Sequence, residues 1–223
     1  MKSNRLKELV ELHDDIWDMY FPIGERNPDV EKATKFIDDN SEKMNFWQEN
    51  EVFVEGAELP EMIFKNDFDF GFFLGGELFD STSFNQFTQV LKLLGEEKFF
   101  IYPKREGETL IDDVFSFSSD VTWEELMSGD FISFLTVSSL ELDLYLCGTS
   151  GTWGIFLANN FCYELGSPAG TPIKLWGVQK EYYSKFCSIV KLNKDYPFED
   201  LSSIAFEERP NLTEWIPPCY FKK

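Results

Sequence analysis

The stretch from Ile132 to Gly166, ISFLTVSSLELDLYLCGTSGTWGIFLANNFCYELG, constrains the fold more than any other. In its middle, the even-numbered leucines from Leu140 to Leu146 alternate with Glu141, Asp143 and Tyr145. Period-two alternation predicts a strand with one buried face and one face in water. Gly-Thr-Ser-Gly and Asn-Asn then separate this strand from the runs TWGIF and FCYELG. We therefore expect a meander of antiparallel strands that carries the core.

Shorter segments predict the elements around this meander. Alternating or apolar runs indicate strands over residues 51–55, 67–74, 98–102 and 112–117. Apolar residues at helical spacing indicate helices over residues 81–95 and 181–190. Thr122-Trp-Glu-Glu125 has the pattern of a capping box, with Thr122 as N-cap, and predicts a short helix that ends at Gly129.

The N-terminal part is predicted to be helical. Apolar residues recur every three or four positions from about Asn4 to Tyr20, and again from Asn27 to about residue 48. His13, the single histidine, lies on the first stripe, where a core or boundary imidazole is the expected role. The predicted fold class is α+β, with two N-terminal helices packed on a largely antiparallel sheet and short intervening helices.

The chain is predicted to form a single domain over residues 1–223. Its parts are a helical N-terminal part, 1–50, a sheet-containing body, 51–166, and a helix with an irregular aromatic wrap, 167–223. The loop Gly166–Pro172 is rich in turn residues and marks the expected internal boundary. The prolines of the tail predict irregular structure, while its aromatic residues predict packing on the body or, alternatively, a partner-binding surface.

Composition limits the class and the compartment of the protein. The chain has 40 acidic and 20 basic residues, a net charge of −20, which repels nucleic acid phosphates and membrane headgroups and attracts basic proteins. It has no apolar run long enough for a transmembrane helix, and the charged N-terminus has no apolar secretion core. Four widely spaced cysteines fit reduced thiols better than disulfides or zinc. We expect a soluble, cytoplasmic protein.

Motifs for catalysis do not occur in the sequence. There is no H-E-x-x-H, no G-x-S-x-G and no glycine-rich phosphate loop. A carboxylate-dependent hydrolase stays open as an alternative, with Asp67, Asp69, Asp112 and Asp113 as its candidate acids. Asp67 and Asp69 would also project to the same side of a strand, where two carboxylates can bind a divalent cation. The expectation is nevertheless a protein with no catalytic residue, no cofactor and no metal.

One resemblance adds to this reading. The run LYLCGTSGTWGIFLANNFCYELG, a strand that ends in a glycine turn and a Trp-Gly hairpin, resembles small acidic bacterial proteins that confer immunity to polymorphic toxins. The resemblance covers residues 132–166 and implies a cytosolic, non-catalytic protein that binds and blocks a cognate toxin. A scaffold or regulatory protein with the same fold is a further alternative.

The partner-binding surface is predicted to be acidic, because a basic partner is attracted by negative charge. Its candidate residues all lie in or beside predicted strands: Asp67, Asp69, Asp112, Asp113, Glu141 and Asp143. The expected partner is a basic protein, such as a nuclease toxin with a cationic cleft, and is neither nucleic acid nor a membrane.

Overall fold

A computed structural model describes residues 39–57, 59, 61–74, 81–105, 113–127, 142–158, 173–191, 198–201 and 220. Within these ranges the strands are β1 (Ser41–Lys43), β2 (Asp69–Leu74), β3 (Lys98–Arg105), β4 (Asp113–Ser118), β5 (Leu142–Gly148), β6 (Trp153–Ala158), β7 (Ile173–Val178) and β8 (Phe198–Asp200). The helices are α1 (Phe46–Glu49), α2 (Ser81–Leu94), α3 (Trp123–Met127) and α4 (Lys180–Val190).

The described strands form one sheet in the order β1-β4-β3-β5-β6-β7-β2-β8. Every neighbouring pair is antiparallel. In β5 and β6, Leu146 lies opposite Ile155 and Leu144 opposite Leu157, so the meander predicted from the alternating stretch is confirmed for these two strands. The predicted third strand, Phe161–Leu165, lies outside the described residues.

Helices α2, α3 and α4 cover one face of the sheet, which we call the helical layer. Phe84, Phe87 and Leu91 of α2 belong to the core on this face, where the Phe87 ring contacts the Trp153 ring of β6. Helices α2 and α4 agree with the predicted helices, because apolar residues at spacings of three and four form a single buried stripe. Gly95 ends α2 with a positive φ of 71°.

A second core lies on the opposite face, beneath residues 44–68, which we call the outer layer. Phe53, Ile63 and Phe64 of this layer are almost fully buried against the sheet. Its backbone turns on Asn50, whose Oδ1 accepts hydrogen bonds from the N–H groups of Val52 (3.1 Å) and Phe53 (2.6 Å). Both faces of the sheet are therefore covered.

The predicted arrangement of the fold class is wrong in one respect. The class has α+β character and the sheet is antiparallel, but in the described ranges the helices of the helical layer come from residues 81–94, 123–127 and 180–190, and none of them is N-terminal. The second predicted helix does not continue to residue 48: Ser41–Lys43 form an edge strand that pairs with β4, and Asn45 then caps the one-turn helix α1. The first predicted helix, with His13, lies outside the described residues.

The sequence pattern of β5 also predicts, wrongly, that one face of this strand is exposed to water. Leu144 and Leu146 face the helical layer as expected, but Tyr145 and Cys147 on the other face are buried beneath the outer layer. The Tyr145 hydroxyl donates a 2.7 Å hydrogen bond to the carbonyl oxygen of Ala57 in that layer. The Tyr145 hydroxyl, on the face predicted to be in water, therefore attaches the outer layer to the sheet.

Strands from before and after the loop predicted as an internal boundary belong to the same sheet. Strand β7, which follows Pro172, lies between β6 and β2 in the middle of the sheet. In the tail, the Tyr220 side chain is buried, and its hydroxyl accepts a 2.7 Å hydrogen bond from the N–H of Ile63. For Tyr220, the predicted packing of the aromatic tail on the body is confirmed.

Candidate functional site

The two layers that cover the sheet differ in charge. Among its described residues, the outer layer has one basic residue, Lys65, against five acidic residues: Glu49, Glu51, Glu55, Glu61 and Asp67. Helices α2, α3 and α4 are balanced, with three lysines and three glutamates: Lys92, Lys180 and Lys185 against Glu124, Glu125 and Glu181. The described residues of the outer layer are thus mostly acidic, whereas the three helices are balanced in charge.

Three glutamates of the outer layer, Glu51, Glu55 and Glu61, are exposed to solvent. They lie on a backbone fixed from beneath, because each is a near neighbour in sequence of a buried apolar residue such as Phe53 or Ile63. Glu49 has a local role, since its Oε1 accepts a 2.9 Å hydrogen bond from the N–H of Asn45. We call Glu51, Val54, Glu55, Glu61 and Met62 the outer patch.

The outer patch also holds two exposed apolar side chains. In the described part of the chain, the large hydrophobic residues that count as exposed are Val54, at 36%, and Met62, at 44%. The N–H of Val54 donates a 2.8 Å hydrogen bond to the carbonyl oxygen of Ile63, so Val54 and Met62 are on adjacent antiparallel segments. The same two paired backbone segments therefore carry exposed apolar and exposed acidic side chains.

The predicted residues Asp67 and Asp69 lie next to the helical layer. Asp67 is exposed and its Oδ2 accepts a 2.9 Å hydrogen bond from Nζ of Lys180, at the start of α4. Asp69 is partly buried, and burial raises the pKa of its carboxyl above 3.8 despite the opposing charge of Lys180. Because Lys180 offsets their charge, these two residues contribute less to a negative surface than the sequence suggests.

The described residues Asp143 and Asp113 lie at the other end of the sheet from Asp69. Asp69 lies opposite Val178, which pairs with Trp153 at the end of the sheet that holds the β5–β6 turn. Asp143, opposite Lys104, is at the far end of β5 from that turn.

Asp113 lies at this same far end, because β4 runs from there to Ser118, which pairs with Lys98. The position of Asp113 in β4 is described by its backbone, opposite Lys43 of β1. Asp112 and Glu141 lie outside the described residues.

One acidic residue, Glu96, is buried and bonded within the fold. It is 5% exposed, and its carboxylate accepts hydrogen bonds from the N–H groups of Thr149 (3.0 Å) and Ser150 (3.3 Å), from both hydroxyls, and from the Trp153 indole (2.8 Å). A Cβ at Gly148 would collide with this carboxylate. The Gly-Thr-Ser-Gly-Thr-Trp run, on which the resemblance to immunity proteins depends, thus forms an internal carboxylate-binding turn.

A second group of ionisable side chains joins α4 to β2 and β8. The Tyr183 hydroxyl lies 2.6 Å from the carbonyl oxygen of Phe70 and 2.8 Å from Oδ1 of Asp200. Burial raises the pKa of Tyr183 far above its ordinary value and raises the pKa of the Cys187 thiol. A thiol with a raised pKa is a poor nucleophile, so this group has the character of a structural contact.

The described ranges contain no set of three or more His, Cys, Asp or Glu side chains placed to hold a metal ion. Cys147 and Cys187 are free and buried, and Cys162 and Cys219 lie outside the described residues. None of the helices that the structure describes is both long enough and apolar enough to cross a membrane.

Sequence reasoning missed the glutamates of the outer patch. Their signal was the density of acids around the run EVFVE, which holds Glu51 and Glu55. No protein-family model matches this chain, and no curated protein and no solved structure matches it.

Proposed function

We propose that this protein is a non-catalytic binding module whose partner is a basic protein, and that it serves as an immunity protein in the cytoplasm. The single observation that supports the proposal is a difference in charge: five acids against one lysine among the described residues of the outer layer, beside balanced helices on the other face. An acidic composition that served solubility alone would not need this asymmetry.

Such an arrangement suits the capture of a cationic protein. Carboxylates on one face create a directed negative potential, which speeds association and orients the partner as it approaches. Over about 8 Å at physiological ionic strength this attraction is not fully screened, so neighbouring glutamates act together. A nuclease whose active cleft binds phosphates has the complementary positive surface.

The immunity role comes from the resemblance over residues 132–166 and from the acidity of the chain. The turn Gly148–Gly151 binds the Glu96 carboxylate within the fold, so it supports the framework and leaves partner contact to other residues. The outer patch is the part of the described surface that combines charge with exposed apolar groups. The partner-binding role is therefore assigned to it.

The experiment is affinity capture of the tagged protein's partner from the native cytosol at low and at high salt. We expect a stoichiometric basic protein that is retained at low salt and elutes at high salt. Expression of that protein alone should arrest growth, and co-expression with this chain should restore it. Absence of any retained basic protein would contradict the binding role, and a harmless partner would contradict the immunity role in favour of a scaffold.

A carboxylate-dependent hydrolase is the second candidate, and Asp69 is the observation that favours it. Burial and the nearby charge of Asp200 both raise the pKa of its carboxyl, as in an acid that must hold a proton. If the wild type hydrolyses chromogenic glycosides, the Asp69→Asn and Asp200→Asn variants should both lose this activity. If the wild type hydrolyses none of them, this candidate is rejected for glycosides.

A further inference from the structure

We infer that Val54 and Met62 are the apolar anchor of the partner interface, and that the basic partner places an apolar side chain, flanked by lysine or arginine, against them. The inference rests on the proposed function and specifies its surface. In the part of the chain that the structure describes, these are the large hydrophobic side chains with the greatest exposure, and both belong to the outer layer. Val54 precedes Glu55, and Met62 follows Glu61.

The position of these two residues fits an anchor. The segments that bear them are joined through the Phe53–Phe64 bridge and through hydrogen bonds from Val54 N–H to Ile63 O and from Lys65 N–H to Val52 O, each 2.8 Å. Beneath them, Phe53 and Ile63 are completely buried. Because the backbone that bears these side chains is already ordered, binding does not have to order it and restricts only the side-chain rotamers.

The charges of Glu55 and Glu61 determine which kind of partner can bind at Val54 and Met62. A purely apolar partner would have to bury Glu55 and Glu61 without compensation, which is unfavourable. A purely cationic partner would leave Val54 and Met62 in water and gain only the screened attraction of exposed charges. A basic protein with an apolar residue between its cations satisfies both groups, because apolar contact at the centre and charge at the rim is the usual composition of an interface.

Two synthetic peptides with lysines at identical positions test the inference, one with leucine and one with serine at the positions between them. Wild-type protein should bind the Lys–Leu peptide about 10-fold more tightly than the Lys–Ser peptide, because burial of apolar surface adds to the same charge attraction. The double variant Val54→Ser/Met62→Ser should lose this preference and keep its affinity for the Lys–Ser peptide.

The control variant is Ile189→Ser, which changes a partly buried apolar residue of α4 in the helical layer and should keep the preference. Val54 and Met62 are 36% and 44% exposed, so thermal unfolding must first show that the double variant is folded at the temperature of the binding assay. Equal affinity of the wild type for the two peptides, or a preference that survives in a folded double variant, would overturn the inference. The proposed function is tested separately by capture from cytosol, since that result does not depend on these peptides.

Discussion

The Trp153 indole donates a 2.8 Å hydrogen bond to the carboxylate of Glu96, which lies 57 positions earlier in the chain. This contact joins the residue that follows helix α2 to the start of β6, and the Glu96 carboxylate also accepts bonds from the turn between β5 and β6. One buried acid therefore fixes the central hairpin with respect to the helical layer. The negative charge at Glu96 is used within the fold, in contrast to the exposed glutamates of the outer layer.

Glu96→Gln is expected to destabilise the protein by about 2–4 kcal/mol, because an amide NH₂ would face N–H and O–H donors that now bond to a carboxylate. Urea unfolding followed by tryptophan fluorescence measures this loss. The matched control is Glu97→Gln at the next, exposed position, which should leave the midpoint nearly unchanged. Equal stability of the two variants would show that the Glu96 contacts contribute nothing.

Tyr220→Phe is expected to lower the free energy of unfolding by about 1–2 kcal/mol, since it leaves the buried N–H of Ile63 without the hydroxyl that now accepts its bond. The ring and its contact with Phe70 are kept, so the change isolates the hydrogen bond. Tyr182→Phe, at a hydroxyl that bonds to exposed Glu181, is the matched control and should have little effect in the same chemical denaturation. A Tyr220→Phe protein as stable as the control would contradict the role of the tail.

The capping box of α3 predicts a pH dependence. The Glu125 carboxylate accepts a 2.8 Å bond from the N–H of Thr122, and this bond lowers the pKa of Glu125 below 4.5. A lowered folded-state pKa gives stability that is present above 4.5 and is lost as the pH falls through the folded value. Glu125→Gln should therefore be less stable than wild type at neutral pH, and the two thermal midpoints should converge in acid. A difference that does not depend on pH would contradict this assignment.

The raised pKa of Asp69 predicts a pH dependence of stability opposite in sign to that of Glu125. Its pKa is raised above 3.8 by burial, so the folded protein holds this proton more tightly than the unfolded chain does, and stability falls as the pH rises through that window. Asp69→Asn should be slightly more stable than wild type at neutral pH, and the gain should disappear as the pH falls toward 3.8. Paired urea titrations across this range measure the effect. Destabilisation by Asp69→Asn at neutral pH would mean that its bonds outweigh its burial.

Local signals in the sequence predicted most of the sheet and the helices that pack on it. Alternating or apolar runs identified β2, β3, β4, β5 and β6, apolar stripes identified α2 and α4, and the Thr122–Glu125 box identified α3. Each of these signals is contained within one element. The predicted end of the strand at residue 102 was wrong, because β3 continues to Arg105 along its long pairing with β5.

Relations between distant segments could not be read from local patterns. Met44 and Trp47 have helical spacing, but they are apolar because they pack against the second core, and Ser41–Lys43 become a strand through pairing with β4. The alternating pattern of β5 predicts that Tyr145 faces solvent, but the outer layer covers this side chain. The acidic face is similarly a consequence of which segment covers which side of the sheet, so counting acids in predicted strands selected Asp67 and Asp69 and missed Glu55 and Glu61.

The central claim is that the outer layer, rather than acidity in general, binds the basic partner. The most direct measurement compares two triple variants with the same change in charge: Glu51→Lys/Glu55→Lys/Glu61→Lys in the outer layer, and Asp120→Lys/Glu124→Lys/Glu181→Lys beside the helices. Affinity for the captured partner is measured by titration calorimetry over a range of salt concentrations, after thermal unfolding has shown that both variants fold. We expect the outer-layer variant to bind at least about 100-fold more weakly and with a smaller salt dependence, and the helical-layer variant to stay within about 5-fold of wild type. Equal weakening in both variants would contradict the claim, because binding would then depend on net charge alone.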